Sequence, residues 1–452
     1  MLTIREILEG TKGKLIQGNK DLIIKGYRID SRECKYGDLY IPLKGENTDG
    51  HRFISNAIDN GCIAILISNM EYLPQNVNNC FPIIQVEDCL EALQNIGKYN
   101  RLKHKEIESI AITGSVGKTS TREMISSVLS QKYNLMVTEK NMNGHIGLPL
   151  MTARLEKQDL GIFETGIDFV GEMDILGQIV TPNIAVITNI GTSHIGKFGS
   201  QDIIYREKTN IAKYLVGKKI LLLNKDDTYL KKYKNEDVNI IYYSINDASN
   251  IIISNNSIEF ETKIYDKYEK IKINAIGNHN IINAIVAIKI AEQYNMDKED
   301  IINGIANYKN FNRRMEIINL NYVTIIDDTY NASPSSTEAG LKTIDSLKAN
   351  RKIAVLADIA ELGMYSKQIH TDLANIFKDI NIDVLITFGN DIKYLYDIAK
   401  GFVKQSYFCE NSEEAEKIIR QIIKKDDLIY FKGSNVMKVN TIIDNLKSNY
   451  KE

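Results

Sequence analysis

A glycine-rich loop between an apolar run and a helical stretch constrains this chain more than any other feature. Residues 110–112 (I-A-I) predict a buried strand, the loop T-G-S-V-G-K-T-S follows, and a helix is predicted from 119 to about 132. Glycines let the backbone approach an anion, and the amides at a helix N-terminus attract phosphate oxygens. Lys118 supplies a positive charge, and Thr119 supplies a hydroxyl that can reach a magnesium ion. The residues predicted to bind nucleotide phosphate are Gly114, Ser115, Val116, Gly117, Lys118, Thr119 and Ser120.

The spacing inside the loop bears on the kind of nucleotide. The usual pattern has about four residues between its glycines, whereas Gly114 and Gly117 are separated by two. Residues 168–171 (D-F-V-G) fit D-x-x-G and residues 224–227 (N-K-D-D) fit N-K-x-D, so a GTP-dependent switch is one alternative. Both patterns are short and degenerate, and the shortened loop and the α/β domain that follows it disfavour a switch. An ordinary glycine-rich turn is a second alternative.

Length and two changes of pattern predict three α/β domains, at residues 1–104, 105–311 and 312–452. The first ends at a charged hinge, residues 103–106 (K-H-K-E). In the other two, short apolar runs alternate with helical stretches, which is typical of parallel sheets covered on both faces. We therefore predict a small N-terminal domain, a central P-loop domain and a C-terminal Rossmann-like domain. The strands predicted in the last two are 110–112, 160–163, 184–187, 219–223, 323–326, 352–356, 383–388 and 427–431.

Composition and charge narrow the class of protein. With 43% hydrophobic and 25% charged residues, the chain has the balance of a soluble globular protein, and its formal net charge of −2 argues against a nucleic-acid partner. The five cysteines form no C-x-x-C pair, so scattered reduced thiols are expected. The N-terminus does not resemble a signal peptide, and no apolar run reaches the ~18 residues that cross a bilayer. We expect a cytoplasmic protein without membrane insertion, and a monomer.

Polar residues near strand ends are candidates for a metal site. Glu164 follows the predicted strand 160–163, and His194 lies beyond the strand 184–187, at the same edge of the sheet as the loop. A carboxylate beside a phosphate-binding loop can hold magnesium, directly or through water. The alternatives are a solvated loop acid for Glu164 and a structural imidazole for His194. Spacing alone makes Lys208 an ordinary lysine on a helix face, and it places Asn280 and Asn283 on one face of a helix.

These features together resemble the Mur ligase family over nearly the whole chain. The loop, residues 164–166 (E-T-G), the segment 188–200 and the helix start at 277–284 are similar to its central domain. Four further segments, 30–47, 141–149, 327–334 and 356–370, resemble the members that join D-alanyl-D-alanine to a UDP-linked muramoyl tripeptide. The resemblance implies an ATP-dependent ligase that forms an acyl phosphate and then an amide bond. It also implies two magnesium ions, and a UDP-N-acetylmuramoyl peptide and D-alanyl-D-alanine as substrates.

The resemblance implies roles for individual residues. Catalytic roles fall to Lys118, His194 and a carbamylated Lys208. The implied metal ligands are Thr119, Glu164, His194 and Lys208. The implied nucleotide contacts beyond the loop are Asn280, Asn283, Arg314, Asp328, Tyr330 and Asn331. The implied UDP-substrate residues are Ser31, Arg32, Lys44, Gly45, Asn141 and Asn143, and the implied amine-side residues are Asp358, Glu361 and His370.

The sequence departs from the family pattern at three places, of which the first and the last bear on the identity of the amine. His145 stands where Glu is usual, Thr165 where Met is usual, and residues 435–436 (N-V) where Arg-Gly is usual. One alternative is therefore a Mur-type ligase for another amino acid or dipeptide. A folylpolyglutamate synthase is another, against which the UDP-type N-terminal segments argue. A non-catalytic nucleotide-binding module is the alternative from a different class, and the presence of Lys118, Glu164 and His194 argues against it.

Overall fold

Three α/β units follow one another along the chain in a computed structural model that describes residues 1–310 and 313–449. The predicted boundary between residues 311 and 312 lies outside the described residues. The elements of the N-terminal unit are β1 (Leu2–Thr3), α1 (Ile4–Thr11), β2 (Lys14–Gln17), β3 (Ile23–Ile24), β4 (Gly26–Arg28), β5 (Asp38–Tyr40), α2 (Ile54–Asp59), β6 (Ala64–Ile67), β7 (Ile83–Gln85) and α3 (Cys89–Lys103).

The N-terminal unit is built on a five-stranded mixed sheet in the order β2-β7-β6-β5-β4, in which only β2 runs antiparallel to its neighbour. Apolar residues of α1 and α3 cover one face of this sheet. A side chain at Gly97 of α3 would place its Cβ 2.8 Å from the Pro149 Cα of the next unit. Glycine at this position therefore lets the two units pack backbone against backbone.

The central unit contains the predicted loop. Its first part comprises β8 (Glu108–Thr113), α4 (Lys118–Leu129), β9 (Leu135–Val137), α5 (Gly147–Thr152), β10 (Leu160–Glu164), α6 (Glu172–Val180), β11 (Ile184–Ile187), α7 (Ile195–Phe198) and α8 (Gln201–Thr209). Its second part comprises β12 (Ile220–Asn224), β13 (Asn239–Tyr243), β14 (Ser249–Ile253), β15 (Ile258–Ile264), β16 (Lys267–Ile273), α9 (His279–Gln293) and α10 (Lys298–Ala306).

The main sheet of this unit is parallel, with the order β13-β12-β11-β8-β10-β9. Alternate residues of β8 belong to different cores, because Ile110 and Ile112 pack with α4 and α9 whereas Ala111 packs with α6. A strand buried on both faces explains the unbroken apolar runs of the sequence. The connection that leaves β8 runs toward β9 at one edge of the sheet, whereas the connection that leaves the neighbouring strand β11 runs the opposite way, toward β12. Ligands of open α/β sheets bind at the carboxyl ends of strands at such a point.

A second, antiparallel sheet of β14, β15 and β16 is a feature that the sequence analysis does not predict. The signal was present, since buried Ile258, Phe260, Thr262 and Ile264 alternate with Glu259, Glu261 and Lys263 along β15. A smaller correction concerns Glu164, which is the last residue of β10 and not the first residue after the strand.

The C-terminal unit is a second doubly wound sheet. Its elements are β17 (Glu316–Asn319), β18 (Val323–Asp327), α11 (Pro334–Ser346), β19 (Arg351–Ala357), α12 (Ser366–Leu373), β20 (Val384–Phe388), α13 (Lys393–Ala399), β21 (Gln405–Cys409), α14 (Ser412–Ile422), β22 (Asp427–Lys432) and α15 (Asn440–Asn449). The strand order is β17-β18-β22-β19-β20-β21, and β17 alone runs antiparallel to its neighbour. The predicted three-unit α/β architecture with parallel central and C-terminal sheets is confirmed.

Apolar packing joins the central and C-terminal units. One buried cluster contains Ile195 and Phe198 of α7 together with Ile359 and Leu362 of the C-terminal unit. The carboxyl edge of the central sheet therefore faces the C-terminal sheet across a packed contact. Within residues 1–310 and 313–449, no helix is both long and apolar enough to cross a bilayer.

Candidate active site

The glycine-rich loop turns sharply from β8 into α4. Gly114 has φ +143° and Gly117 has φ +87°, and a Cβ at Gly114 would lie 1.9 Å from Thr188 Oγ1. Both positions therefore require glycine. Lys118 begins α4, and its Nζ donates to the carbonyl oxygen of Gly114 at 2.8 Å. Burial lowers the pKa of Lys118, and the nearby Glu164 carboxylate acts in the opposite direction.

Glu164 and Thr119 meet at the carboxyl edge of the sheet. The Thr119 hydroxyl donates to Glu164 Oε2 at 2.9 Å, and the side-chain amide of Asn143 donates to Glu164 Oε1 at 2.9 Å. All three side chains lie next to the N-terminus of α4, where the backbone amides favour anions. The predicted metal ligand Glu164 is therefore a buried carboxylate beside the loop and not a solvated acid.

The chemistry of these donors fits magnesium. A hydroxyl and a carboxylate offer hard oxygen atoms, and magnesium is usually held by one or two carboxylates together with substrate phosphates and waters. In the described part of the chain, no group of three or more His, Cys, Asp and Glu side chains forms a metal site by itself. The pair of Thr119 and Glu164 is thus suited to a cation that is shared with a nucleotide.

A side chain from the C-terminal unit reaches the loop. Arg314 Nη2 donates to Thr119 Oγ1 at 3.0 Å, and its guanidinium lies 4.0 Å from the centre of the Tyr330 ring. The Tyr330 hydroxyl in turn donates to the Asn141 side chain of the central unit. Two residues implied as nucleotide contacts therefore bridge the units at the phosphate loop.

His194 is the centre of a charged cluster at the same junction. Its backbone is left-handed, with φ +60°, and its Nδ1 lies 2.6 Å from Glu361 Oε2 and 3.4 Å from Asp168 Oδ1. Nδ1 is thus a buried nitrogen that pairs with Glu361 by charge but has no hydrogen-bond partner among the described residues. Lys197 also contacts Glu361, at 3.0 Å. Burial lowers the pKa of His194, although the two carboxylates oppose this.

Lys208 is buried on α8, which is unusual for a lysine. Burial lowers its pKa well below the ordinary value, and the positive charge of Lys118 adds to the effect. Among the described residues, its amine has no hydrogen bond or ion pair within bonding distance. Lys208 is thus not the ordinary surface lysine that its spacing suggested.

The remaining residues implied as nucleotide contacts form two separate groups, one on α9 and one in the C-terminal unit. Asn283 accepts a hydrogen bond from Thr121 of α4 at 2.8 Å, and fully buried Asn280 donates to the carbonyl oxygen of Ile276 at 2.8 Å. Asp328 is held by the buried amine of Lys432 at 2.5 Å, and this amine also contacts the backbone oxygen of Asn331 at 3.2 Å. Lys432 is a residue of the second group that sequence reasoning missed.

Two of the three residues implied on the amine side hydrogen-bond to the backbone of the C-terminal unit. The Asp358 carboxylate accepts three backbone N–H bonds of 2.7–3.0 Å from residues 390–392 at the start of α13. His370 is fully buried, accepts from the backbone N–H of Ile359 at 3.3 Å and contacts the carbonyl oxygen of Ser366 at 2.9 Å. Only Glu361 of this group reaches the cluster at His194.

The six residues implied to bind the UDP end fall into two places. Arg32 pairs with Asp30 on an exposed turn of the N-terminal unit, and Ser31 lies buried beside it. Lys44 and Gly45 lie in a nearby loop closed by the hydrogen bond from Gly45 N to the Thr48 carbonyl oxygen at 2.9 Å. Asn141 and Asn143 are instead at the phosphate loop, where they contact Tyr330 and Glu164.

Two of the residues that depart from the family pattern, and the aspartate of the N-K-x-D pattern, hold neighbouring parts of the fold by hydrogen bonds. His145 Nδ1 lies 2.7 Å from the buried Glu172 carboxylate, and the Thr165 hydroxyl donates to the Ile112 carbonyl oxygen at 3.3 Å. In the N-K-x-D pattern, the Asp227 carboxylate accepts backbone N–H bonds from Ile190, Tyr229 and Leu230. That carboxylate is engaged in holding a loop, so the pattern carries no sign of guanine recognition.

Comparison with known families gives three matches along the chain. The Mur ligase middle domain matches residues 112–291, the glutamate ligase domain of Mur ligases matches residues 313–435, and the catalytic domain of the Mur ligase family matches residues 23–101.

Individual relatives match over nearly the whole length. The UDP-N-acetylmuramoyl-tripeptide--D-alanyl-D-alanine ligase of Bacillus subtilis (strain 168) is 33% identical over 98% of this chain and 98% of its own. The ligase of the same name from Rickettsia prowazekii is 31% identical over 92% of this chain and 94% of its own. A crystal structure of MurF from Acinetobacter baumannii has a TM-score of 0.88 at 28% identity, over 99% of this chain and 98% of that chain.

Proposed function

This chain belongs to the Mur ligase family, and from that premise we propose that it joins D-alanyl-D-alanine to UDP-N-acetylmuramoyl-tripeptide with ATP, in peptidoglycan precursor synthesis. The full-length similarity to ligases of that name supports this choice of substrates. The structural observation that carries the proposal is the hydrogen bond from Arg314 to Thr119. It brings a charged group of the C-terminal unit to the phosphate loop of the central unit, as a ligase with separately held substrates requires.

We assign one substrate to each domain. Residues 1–104 hold the UDP end of the long substrate, residues 105–311 hold ATP, and residues 312–452 bring the amine and complete the nucleotide site. Ser31, Arg32, Lys44 and Gly45 serve the UDP end. The positions of Asn141 and Asn143 favour a role at the phosphate loop instead. The reaction takes place in the cytoplasm, where ATP is available.

The chemistry follows from the poor reactivity of a carboxylate toward an amine. The terminal carboxylate of the peptide attacks the γ-phosphorus of ATP, which gives an acyl phosphate and ADP. The neutral amine then attacks the acyl carbon, and a tetrahedral oxyanion collapses with loss of phosphate and of the amine proton. Lys118 and Arg314 stabilise the negative charge on the transferring phosphoryl group, since phosphoryl transfer depends mainly on positioning and electrostatics.

Magnesium would neutralise the charge of the nucleotide phosphates here. Thr119 and Glu164 would hold one ion, which their hydrogen bond at the phosphate loop supports. His194 and Lys208 would hold a second ion, which the burial of both side chains at the same junction supports. A lysine ammonium cannot bind a cation, so Lys208 serves only after carbamylation, which converts the amine into an anionic oxygen donor. The lowered pKa of Lys208 supports this, because the neutral amine is the form that adds carbon dioxide.

Docking of the C-terminal unit protects the acyl phosphate from water. Two hydrogen bonds join this unit to α7 and the residue after it. The Gly196 N–H donates to the Glu361 carbonyl oxygen at 3.2 Å, and the Tyr365 hydroxyl donates to the Gly199 carbonyl oxygen at 2.8 Å. These contacts lie beside His194. An enclosed site favours amide formation over hydrolysis.

Phosphate release from ATP tests the proposed function. The full-length protein is incubated with UDP-N-acetylmuramoyl tripeptide, ATP and magnesium, and D-alanyl-D-alanine is compared with single amino acids and other dipeptides. We expect release that depends on both the peptide and D-alanyl-D-alanine, and a product whose mass equals the two joined with loss of water. The same assay with GTP in place of ATP tests which nucleotide the protein uses.

Two results would contradict the proposal in different ways. Phosphate release that does not depend on any amine would exclude a ligase. A preference for another amine would retain the reaction and correct the substrate, and His145 and residues 435–436 would then be the first positions to exchange for the usual family residues. The Lys118→Met variant serves as a control that retains the fold but loses the charge at the phosphate.

A further inference from the structure

A fully buried arginine stands behind the proposed magnesium site. Arg122 of α4 is 1% exposed and is the largest fully buried side chain among the described residues. It follows Thr119 by three positions on α4, so both side chains lie on the same face of the helix. A buried guanidinium is costly unless it is paired and hydrogen-bonded. None of the steps of phosphoryl transfer described above uses this charge directly.

The guanidinium connects two carboxylates. Its Nη1 donates to Glu164 Oε2 at 3.3 Å, and its Nε and Nη2 contact Glu123 Oε1, the former at 3.2 Å. The planar fork of arginine can span two carboxylates in fixed directions, which the single ammonium of lysine cannot do. Arg122 therefore anchors Glu164 on the side that faces α4.

Asn143 holds the other oxygen of the same carboxylate. Its side-chain amide donates to Glu164 Oε1 at 2.9 Å, and its backbone carbonyl oxygen accepts from the Gly166 N–H at 2.9 Å, so the backbone of residue 143 is tied to the segment that follows Glu164. The Glu164 N–H donates to Thr138 Oγ1 at 2.9 Å. The carboxylate is thus restrained at both oxygens and at its own backbone.

We propose that Arg122 and Asn143 are positioning residues that hold the Glu164 carboxylate in the orientation in which it receives magnesium with the nucleotide. This rests on the proposed role of Glu164 as a magnesium ligand. The hydrogen bonds from both sides leave the carboxylate plane fixed, with Thr119 at one end. Groups that orient a metal ligand in this way contribute to metal affinity although they do not touch the metal.

Binding of manganese as a substitute for magnesium tests the proposal without any need for turnover. The full-length protein is titrated with Mn²⁺ in the presence of ADP, and free Mn²⁺ is followed by electron paramagnetic resonance. Arg122→Lys keeps the charge but cannot span both carboxylates, and Asn143→Ala removes the other restraint. With ADP saturating, we expect each variant to weaken Mn²⁺ binding by ~10-fold. The magnesium concentration that gives half-maximal turnover should rise in parallel, and the KM for the amine should stay unchanged.

Arg101→Lys is the matched control. Arg101 is also a buried arginine, at 2% exposure, but its guanidinium donates to the carbonyl oxygens of Val180 and His104, remote from Glu164. This variant should lower thermal stability and leave Mn²⁺ affinity unchanged. Equal weakening in Arg101→Lys and Arg122→Lys would reduce Arg122 to a structural role and overturn the inference.

Failure of this inference is distinguishable from failure of the proposed function. A wild-type protein that ligates, together with Arg122→Lys and Asn143→Ala variants that bind Mn²⁺ normally, overturns the positioning role alone. A wild-type protein that does not ligate, but whose Mn²⁺ binding weakens in both variants, overturns the proposed reaction and retains the positioning role. Should Arg122→Lys fail to fold, Asn143→Ala decides, because its side chain is not fully buried.

Discussion

At the scale of single residues, Arg314 is the charged group of the C-terminal unit that reaches the phosphate loop. Its guanidinium donates to Thr119 and lies over the Tyr330 ring. Arg314→Ala should lower turnover by ~10²–10³-fold, since removal of one preorganised donor from a developing charge has an effect of this size. Steady-state kinetics at saturating substrates measures it.

The preceding residue provides the control for this prediction. Arg313 donates to Thr329 at 3.0 Å and to Asn440 at 2.9 Å, and both partners belong to the C-terminal unit. Arg313→Ala should therefore reduce stability and leave the turnover of the folded protein close to normal. A turnover of Arg314→Ala close to wild type would refute the role of Arg314 in the closed site.

Lys208 leads to a prediction about pH. Because burial lowers its pKa well below the ordinary value, the amine is neutral above that lowered pKa and charged below it. Carbamylation therefore persists at higher pH and is lost as the pH falls through the lowered pKa. With ¹³C-bicarbonate, the wild-type protein should show a carbamate carbon signal that fades together with turnover on acidification and returns on neutralisation.

Two lysine variants identify the origin of that signal. Lys208→Arg should remove both the signal and the turnover. Lys213→Arg should keep both, because the Lys213 side chain is 63% exposed and does not share the burial that favours a neutral amine. A carbamate signal that survives in Lys208→Arg would place the modification elsewhere.

At the scale of secondary-structure elements, one carboxylate ties the end of β19 to the start of α13. Asp358 accepts the backbone N–H groups of residues 390–392, and a Cβ at Gly389 would lie 2.5 Å from its carboxylate. Asp358→Ala leaves these N–H groups without their acceptor and should lower the free energy of unfolding by on the order of 2 kcal/mol. Urea denaturation followed by circular dichroism measures the change.

The comparison for this prediction is an acid on α13 itself. Asp397 is half exposed and pairs with Lys400 on the helix surface, so Asp397→Ala should change the free energy of unfolding by less than ~0.5 kcal/mol. If Asp358→Ala keeps full stability but raises the KM for the amine, the direct substrate role implied by the family resemblance is correct and the supporting role is wrong.

At the scale of the whole molecule, docking of the C-terminal unit depends on a close backbone approach at α7. A Cβ at Gly196 would lie 2.9 Å from both the Glu361 carbonyl oxygen and the Gly363 nitrogen. Gly196→Ala suits the helix, because alanine favours helix over glycine, but it separates the two units. We expect unchanged nucleotide binding, a lower turnover and a larger radius of gyration by small-angle X-ray scattering.

Gly401→Ala tests whether the loss of a glycine by itself matters. A Cβ at Gly401 meets its nearest atom at 3.5 Å, an ordinary contact within the C-terminal unit. This variant should match the wild type in turnover and in radius of gyration. A Gly196→Ala protein that remains as compact and as active as Gly401→Ala would show that the contact at α7 does not control closure.

The sequence by itself determined the local parts of this protein. Residues 184–187 were predicted as a strand and form β11 with the same bounds, and the predicted helix after the loop is α4. These features depend on runs of apolar residues and on glycines, which act through neighbouring residues of the chain. The same local information places Glu164 and the loop at one edge of a parallel sheet.

Only the tertiary structure decided which side chains meet. Arg314 reaches Thr119, Glu361 reaches His194 and Asn143 reaches Glu164 from separate loops, whereas Asp358 and His370 turn inward to support their own unit. A sequence pattern does not show how one unit packs on another, because that packing depends on the shapes of the units and on the apolar cluster between them. Sequence therefore supplied the chemistry of the site, and packing between the units determined its geometry.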